Sequence, residues 1–277
     1  MNRIAIISDI HGNLEALKAV LKDIKNRNID EIYCIGDIIA KGAHSIECLN
    51  LVRENCKVVI TGNCDEYFSK EHENIEDLPE LEQKRVNLYK KLLNEEEKAY
   101  LQSLPYSYEF YMSGSLIRLF HATPWQLNKA IINQDKVQDK YKLFLGTENT
   151  ATMNTADVVI YGHIHHCYAD LIYNKTLINV GSVGNSYNVI RNEDKDSNTE
   201  EVTKAFYVII EGNLNEKEYN DTFSYQFVRV PYNIEKELET KPELEQEDYE
   251  YELRYGKYRN MKKVEDNFKK IGVDINF

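Results

Sequence analysis

The sequence predicts an α/β fold, and three observations support this prediction. Apolar runs rich in β-branched residues recur along the chain, and several are continuous, as in strands that are covered on both faces. Segments whose apolar residues recur at helical spacing separate the first of these runs. Polar residues stand directly after the runs, and in α/β sheets ligand sites collect at the carboxyl ends of strands.

The strands and helices alternate in the first part of the chain. Strands are predicted at residues 3–8, 31–35, 57–61, 116–120, 157–161 and 176–180. A helix between the first two is indicated by Leu14, Leu17, Leu21 and Ile24, with Asn13 as its N-cap. A second helix is predicted over residues 45–53. This order of strand, helix, strand, helix and strand is typical of α/β proteins.

The rest of the chain predicts additions to this core. Residues 71–103 are highly charged and carry leucines at helical spacing, which predicts a helical insertion. Residues 206–210 and 223–230 read as two strands, either a hairpin or neighbours in a sheet. We therefore divide the chain into a main domain at residues 1–232 and a charged helical extension at residues 233–277. The extension is acidic over residues 235–248 and has seven basic residues within 254–270, which is typical of a solvated helix; a docking or regulatory element is the alternative.

Composition excludes several classes of protein. The 277 residues carry a net charge of −12, which argues against a protein that grips duplex nucleic acid. No apolar run approaches the roughly 18 residues of a membrane span, and the first one is too short for a signal peptide, so we expect a cytoplasmic protein. The five cysteines are scattered and form no CxxC pair, which predicts separate reduced thiols.

Seven polar side chains follow five of the predicted strands. They are Asp9, His11, Asp37, Asn63, His121, His163 and His165. This set of nitrogen and oxygen donors suits Mn, Fe, Ni or Zn. Seven ligands are too many for one ion but suit two, and paired ions about 3.5–4 Å apart are typical of phosphoryl-transfer sites. The sequence therefore predicts a dinuclear metal centre.

The motifs that carry these residues resemble a known family. "DIHGN", "GDIIAKG", "GNCDE", "HATP" and "GHIHH" occur in the order typical of the calcineurin-like metallophosphoesterase superfamily, and the resemblance spans residues 3–184. The GNCD form resembles its small bacterial and archaeal phosphodiesterases. The resemblance implies a four-layer α/β/β/α sandwich rather than a Rossmann sheet. It also implies two divalent metal ions, with manganese first among the candidates.

The resemblance further implies a role for each motif residue. One ion would be held by Asp9, His11 and His165 and the other by Asn63, His121 and His163, with Asp37 bridging them. A hydroxide between the ions would be the nucleophile, which gives catalytic roles to Asp37, Asn63 and His121. Residues 181–184 resemble the family's final loop, which lies near the metals.

Three further positions concern the substrate. Cys64 stands where many relatives have a histidine that protonates the leaving group, and a thiol is a poor replacement for it. We therefore expect hydrolysis to favour esters whose leaving groups need little protonation. Lys41 stands where some relatives have a phosphate-binding arginine and reads either as a phosphate contact, together with Asn63 and His44, or as an exposed loop lysine. For His44 and His166 a structural role is the alternative.

These expectations favour a metal-dependent phosphoesterase that acts on phosphodiesters or phosphomonoesters. A dinucleoside polyphosphate hydrolase and a Ser/Thr-type protein phosphatase are the alternatives within the family. A non-catalytic interaction scaffold on the same fold is the alternative from another class, and the presence of all seven ligands argues against it. The expected partner is a phosphoester substrate such as a nucleotide, without a membrane, and a homo-oligomer is compatible with the sequence.

Overall fold

Two five-stranded β-sheets form the centre of the molecule. The computed structural model describes residues 1–187, 203–218 and 222–259. The first sheet has the order β10-β9-β1-β2-β3 and the second the order β4-β5-β6-β8-β7. The strands are β1 (Asn2–Ile7), β2 (Glu31–Cys34), β3 (Val58–Val59), β4 (Ser107–Met112), β5 (Ser115–Phe120), β6 (Val158–Tyr161), β7 (Tyr168–Ile172), β8 (Lys175–Asn179), β9 (Ala205–Gly212) and β10 (Ser224–Val230).

The first sheet is parallel on one side and antiparallel on the other. β1, β2 and β3 run parallel, with Ile4 opposite Glu31 at the start of the β1–β2 register. β9 is antiparallel to both β1 and β10, so the last two predicted strands are adjacent members of one sheet. β3 is shorter than the predicted run and contains only Val58 and Val59.

The second sheet has a parallel centre formed by β5, β6 and β8. Its two edges, β4 and β7, are antiparallel to their neighbours. Neither edge strand was predicted, whereas all three central strands were.

The two sheets pack face to face, and helices cover their outer faces. In β1, Ile4 and Ile6 belong to the core between the sheets, while Ala5 and Ile7 point to the helices. β1 is apolar throughout because both of its faces are covered. On the far side of the second sheet, Val159 of β6 packs with Phe144 and other apolar residues. The predicted α/β/β/α sandwich is confirmed.

The helices are α1 (Leu14–Asn26), α2 (Ser45–Asn55), α3 (Asn63–Ser69), α4 (Glu80–Leu92), α5 (Glu95–Ser103), α6 (Val137–Lys142), α7 (Ile234–Glu237) and α8 (Gln246–Tyr255). Asn13 caps α1 as predicted, since its Oδ1 accepts from the N–H of Ala16 at 3.0 Å. α4 and α5 lie within residues 71–103, and the assignment of this segment as an insertion stays a prediction. Asn63 is the first residue of α3.

The end of the described chain packs against the main domain. Tyr249 and Leu253 of α8 are buried together with Ile234 of α7. The solvated-helix interpretation is therefore wrong for α8, because its periodic apolar residues find partners. Most of the basic run at residues 254–270 lies outside the described residues. No helix in the described ranges is long and apolar enough to cross a membrane.

Candidate metal centre

The polar residues after the strands converge at one edge of the sandwich. Asp9 and Asp37 follow β1 and β2 of the first sheet, and His121 and His163 follow β5 and β6 of the second. Asp9 and His121 are fully buried. The carboxyl ends of the parallel strands from both sheets meet at this edge, which brings residues distant in the sequence together.

Three imidazoles are oriented by backbone carbonyl groups. A carbonyl oxygen only accepts, so the Nδ1 atom that contacts it carries the proton and Nε2 is left with a lone pair. The three contacts run from His11 to Ile39 at 3.3 Å, from His121 to Ile35 at 2.9 Å and from His165 to Asn185 at 2.8 Å. Each of these rings, in its neutral form, therefore presents an acceptor to the centre of the site.

The acceptors at this centre face one another. Nε2 of His11 and Nε2 of His165 lie 3.1 Å apart. Oδ1 of Asp9 lies 3.2 Å from Nε2 of His165 and, within the described chain, receives no hydrogen bond although it is buried. Buried acceptors without donors are costly, and a cation among them would remove that cost. The residues present therefore fit a bound metal ion.

The donor atoms form two neighbouring groups. One consists of Asp9, His11 and His165, and the other of Asp37, His121 and His163; within each, the donor atoms lie within 4.8 Å of one another. Oδ2 of Asp37 lies 3.5 Å from Nε2 of His11 and 3.4 Å from Nε2 of His121, so it sits between the groups. Oδ1 of Asn63 lies 3.0 Å from Nε2 of His121. The structure thus brings all seven predicted ligands together, while metal binding by each of them stays a prediction.

The thiol of Cys64 also lies within this centre. Its Sγ atom forms a third close group with donor atoms of His11 and Asp37. Burial, and next the negative charge of Asp37, raises the pKa of the thiol. The backbone N–H of Cys64 donates to Oδ1 of Asp37 at 2.8 Å. A thiol therefore stands beside the set of nitrogen and oxygen donors expected from the sequence.

The site backbone is unusual for residues that have a side chain. The φ angle is positive at Asp9 (53°), His11 (50°), Asp37 (53°), His163 (68°) and His165 (57°). Such angles are uncommon outside glycine, and they persist where the surrounding structure holds them. Here the two loops hold each other, because the N–H of Asp9 donates to the Gly36 carbonyl at 3.0 Å.

Two glycines next to the ligands serve different purposes. Gly36 has a φ of 97°, which fits the sharp turn expected before Asp37. At Gly162 the reason is space, since an added Cβ would lie 2.2 Å from Oγ of Ser8 and 2.5 Å from Oδ2 of Asp9. The loop at residues 181–184 lies where the resemblance implied, and Oγ of Ser182 donates to the Asp9 carbonyl at 2.7 Å.

The charges in the site favour ionised carboxylates. Burial opposes ionisation of Asp37, but the charges of His121 and His11 hold its pKa below the usual range. Burial likewise opposes a charged His121, yet Asp37 and Asp9 raise its pKa to about 9. Burial lowers the pKa of His11 to about 3 and that of His163 to about 4. The cluster concentrates negative charge, and His11 and His163 are neutral at pH 7, whereas His121 is protonated at that pH when no metal ion is bound.

Asp65 has a structural role that the sequence did not reveal. Its carboxylate accepts from the backbone N–H groups of Ile38 at 2.9 Å, Ile39 at 3.3 Å and Gly62 at 3.1 Å. Burial, followed by the charge of Asp37, raises its pKa to about 7. The signal was present as an acidic residue at the third position of a helix, which is typical of a capping box. Asp65 thus joins the loop after β2 to the start of α3.

The predicted substrate contacts lie beside the metal ligands to different degrees. Nζ of Lys41 donates to the Tyr187 hydroxyl at 2.9 Å, and the Tyr187 ring stacks on His165 with centroids 5.0 Å apart. His44 instead contacts Glu47 of its own helix at 3.3 Å. His166 contacts the Tyr187 carbonyl at 3.2 Å. Tyr187 is a residue near the site that the sequence did not single out, because no motif marks it.

Comparison with known proteins is consistent with this geometry. The family model described as the calcineurin-like phosphoesterase superfamily domain matches residues 2–199. An uncharacterized protein of Methanocaldococcus jannaschii is 35% identical over 246 residues, which cover 85% of this chain and 90% of that protein. The symmetrical bis(5'-nucleosyl)-tetraphosphatase of Actinobacillus pleuropneumoniae is 39% identical over 64 residues, which span 22% of this chain and 23% of that enzyme.

The fold also matches solved structures. A hypothetical protein of Pyrococcus horikoshii superposes with a TM-score of 0.69 at 17% identity, covering 93% of this chain and all of that one. Because the family model covers more than half of the chain and the relative from M. jannaschii covers most of it, the family is established. The chain belongs to the calcineurin-like phosphoesterase superfamily, whose members are metal-dependent phosphoric ester hydrolases.

Proposed function

We propose that the protein is a dinuclear metal-dependent phosphoesterase that acts on phosphodiesters in preference to phosphomonoesters. One observation carries the proposal: two adjacent groups of imidazoles and carboxylates converge, and a buried carboxylate oxygen of Asp9 faces acceptors rather than donors. That arrangement costs free energy in a merely structural cluster and favours cation binding. We further propose manganese as the first candidate ion.

The seven predicted ligands would be shared between two metal ions. Asp9, His11 and His165 would hold one ion and Asn63, His121 and His163 the other, with Asp37 shared between them. Bound divalent ions supply Lewis-acid activation of water and neutralise charge that builds up on a phosphoryl group. The three carbonyl contacts fix which imidazole nitrogen faces the ions, so the site needs little rearrangement. Lys41, at the edge of the cluster, would add a positive charge for the phosphate.

The absence of an imidazole at Cys64 supports a preference among substrates. A positioned general acid typically contributes a factor of about 10²–10⁴. Without one, esters with good leaving groups should be hydrolysed well and alkyl esters poorly. The proposal therefore includes a steep dependence of the rate on the acidity of the leaving group.

A second candidate is the hydrolysis of dinucleoside polyphosphates. The local match to a bis(5'-nucleosyl)-tetraphosphatase favours it, as does Lys41 in the position of a phosphate-binding arginine. The match spans less than a quarter of that enzyme, so it supports related chemistry more than a shared nucleoside pocket.

The test combines metal analysis with a substrate panel. The purified chain should be loaded in turn with Mn, Fe, Ni and Zn, and the bound metal measured by mass spectrometry. Hydrolysis should then be compared for aryl and alkyl phosphodiesters, aryl monoesters and dinucleoside tetraphosphates. We expect two ions per chain and turnover of aryl diesters. Asp37→Asn should lose both, whereas the exposed control Asp139→Asn should lose neither. Two bound ions without turnover on any phosphoester would instead favour an interaction scaffold.

A further inference from the structure

The described part of the C-terminal extension reaches the candidate site through one carboxylate. Oε2 of Glu252, on α8, accepts from the Tyr187 hydroxyl at 2.6 Å and from Nδ2 of Asn185 at 3.1 Å. Nζ of Lys41 lies 3.5 Å from the same oxygen. Glu252 is only 8% exposed, so these contacts lie in a largely dry environment where a charge needs partners.

Both hydrogen-bond donors to Glu252 also contact a predicted metal ligand. The Tyr187 ring lies nearly parallel to the His165 ring, with an interplanar angle of 9°. The Asn185 carbonyl accepts from Nδ1 of His165 at 2.8 Å. Glu252 is therefore linked to His165 through two residues, Tyr187 and Asn185, each of which contacts both of them.

Lys41 is placed to meet a ligand of this site. Its side chain is 30% exposed, and its charge is one of the causes that lower the pKa of His11. Its backbone has a positive φ of 64°, so the loop holds the residue in a fixed direction. The ammonium group lies over the rings of Tyr187 and Tyr258, 5.3 and 5.9 Å from their centroids, so it is held close to the metal ligands while the side chain stays partly exposed.

α8 is anchored firmly enough to serve as a support. Arg85 of α4 forms an ion pair with Glu245 at the start of α8, which joins the helical insertion to the extension. Glu237 of α7 accepts from the N–H of Glu15 at 3.1 Å, at the start of α1. These contacts hold the extension against α4 and α1 of the main domain.

We propose that Glu252 is a positioning residue of the phosphoesterase site, and that it holds Lys41 and Tyr187 beside the metal ligands so that Lys41 contacts the substrate phosphate. The inference rests on the proposed function. The short contacts of Glu252 go to Tyr187 and Asn185, and the longer one goes to Lys41, so the carboxylate orients the ammonium without closing a tight ion pair on it. Through Glu252, the C-terminal extension thus contributes to the substrate-binding site.

The experiment compares Glu252→Ala and Glu252→Gln with the matched control Glu250→Gln, a half-buried carboxylate on the same helix that pairs with Arg254. With bis(p-nitrophenyl) phosphate as substrate, Glu252→Ala should raise KM about 3–10-fold while kcat changes less, because a freed lysine must be ordered again on binding. Binding of inorganic phosphate to the metal-loaded protein, measured by calorimetry, should weaken by a similar factor. Glu252→Gln should show a smaller effect, since its amide oxygen still accepts from Tyr187.

A double-mutant cycle tests whether Glu252 acts through Lys41. Adding Glu252→Ala to Lys41→Ala should weaken phosphate binding little further, because the residue it orients is already gone. Metal content and thermal unfolding identify any variant that fails to fold, and Glu252→Gln, which preserves size and hydrogen bonding, keeps the test decisive in that case.

Two results would overturn the inference. Tighter phosphate binding in both Glu252 variants would show that the carboxylate competes with phosphate, and unchanged KM and phosphate binding would show that it only packs. Failure of the proposed function is a separate result, since the unaltered chain would then bind no metal or hydrolyse no phosphoester.

Discussion

Two buried polar clusters of this protein involve the same strand, and they satisfy their hydrogen bonds in opposite ways. Arg118 lies within β5, and His121 follows the end of the same strand. Both side chains are fully buried. Around Arg118 donors meet acceptors, whereas in the cluster beside His121 the acceptors of Asp9, His11 and His165 face one another.

The Arg118 cluster is electrostatically complete. Its guanidinium donates to Oε1 of Glu109 at 2.6 Å and to the carbonyls of Phe144 at 2.8 Å, Asn154 at 2.7 Å and Thr152 at 3.2 Å. Oε2 of Glu109 accepts in turn from the Thr152 hydroxyl at 2.8 Å. This cluster joins two strands and the loop that follows α6, and it requires no further ligand.

The difference shows how a buried polar cluster can be classified without knowing its function. A cluster in which donors and acceptors match is a structural element, because it is already at low free energy. A cluster in which lone pairs converge is stable only with a cation or at a cost to folding. Burial is the same in both, so the balance of donors and acceptors carries the information.

The largest expected effect on folding comes from breaking the complete cluster. Arg118→Met removes every donor while keeping much of the apolar volume, and it leaves Glu109 as a buried charge. We expect the free energy of unfolding to fall by about 3–5 kcal/mol. Urea unfolding followed by circular dichroism measures this change.

The control is the double variant Arg118→Met with Glu109→Gln, which removes the stranded charge. It should recover part of the lost stability, as expected for a buried ion pair. Metal content of the folded protein should be the same in all of these variants. If Arg118→Met lost metal but not stability, the two clusters would be one functional unit and the comparison would fail.

The next largest effect is expected for Asp9→Asn, which should stabilise the metal-free protein but weaken metal binding. Asp9→Asn places an amide N–H where Oδ1 has no donor, so it can donate to Nε2 of His165 while the amide oxygen accepts from the N–H of His163. At neutral pH this gain is opposed by the lost attraction between the Asp9 carboxylate and protonated His121, so the comparison is made above about pH 9, where His121 is neutral. There the metal-free variant should be more stable than the parent by about 1–3 kcal/mol. Metal affinity should fall by more than about 100-fold, since even residues that only support a ligand typically contribute 10–100-fold.

Thermal unfolding measures both effects, since a chelator gives the stability of the metal-free protein and added manganese gives the stabilisation by bound metal. Asp139→Asn, an exposed change of the same chemistry, should follow the parent under both conditions. A metal-free Asp9→Asn protein that unfolds at a lower temperature than the parent would mean that Asp9 stabilises the fold by itself.

The smallest effect is expected at Glu237, a buried carboxylate that is intermediate between the two clusters. Glu237 is fully buried, and both of its oxygens have donors, the N–H of Glu15 and the Tyr249 hydroxyl. Burial nevertheless raises its pKa above 4.5, opposed by the Glu15 N–H, by His44 and by Tyr249. A raised carboxyl pKa contributes stability that is present below the unfolded-state pKa and is lost as the pH rises through the folded-state pKa.

Glu237→Gln removes this titration. The stability of the variant relative to the parent should therefore improve as the pH rises above the unfolded-state pKa of a glutamate, which is about 4.3. Urea unfolding at several pH values measures the difference, and Glu239→Gln, at an exposed position nearby, is the control. A difference that does not depend on pH would show that Glu237 is ionised as readily in the folded chain as in the unfolded one.

The sequence predicted the interior of the fold better than its edges. β1, β5 and β6 are recognisable because burial on both faces requires continuous apolar runs, and their polar ends therefore stand out. The edge strands β4 and β7 mix polar with apolar residues, so their pattern resembles that of a loop. The seven predicted ligands follow from the motifs, since each strand end is a local feature.

The partners of those ligands could not be predicted in the same way. Glu252 lies in the charged extension, whose sequence is typical of a solvated helix, and its burial depends on Tyr187, 65 residues away in the sequence. Tyr187 follows no motif, and its stacking on His165 depends on the path of the loop after β8. The role of Asp65 likewise needs the loop after β2, which only the folded structure brings to it.

The pairing of His11 with His165 has a consequence for how the protein reaches its final state. These residues are 154 positions apart, and they come from the two different sheets. Each of the two neighbouring groups of donor atoms takes members from both sheets, so the donors of either group come together only when the sheets dock. A chain whose sheets have formed but not yet docked would have no strong site for an ion. The time course of metal uptake during refolding would therefore report when the two sheets dock. The bound ion would then stabilise the docked arrangement, because its ligands come from both sheets.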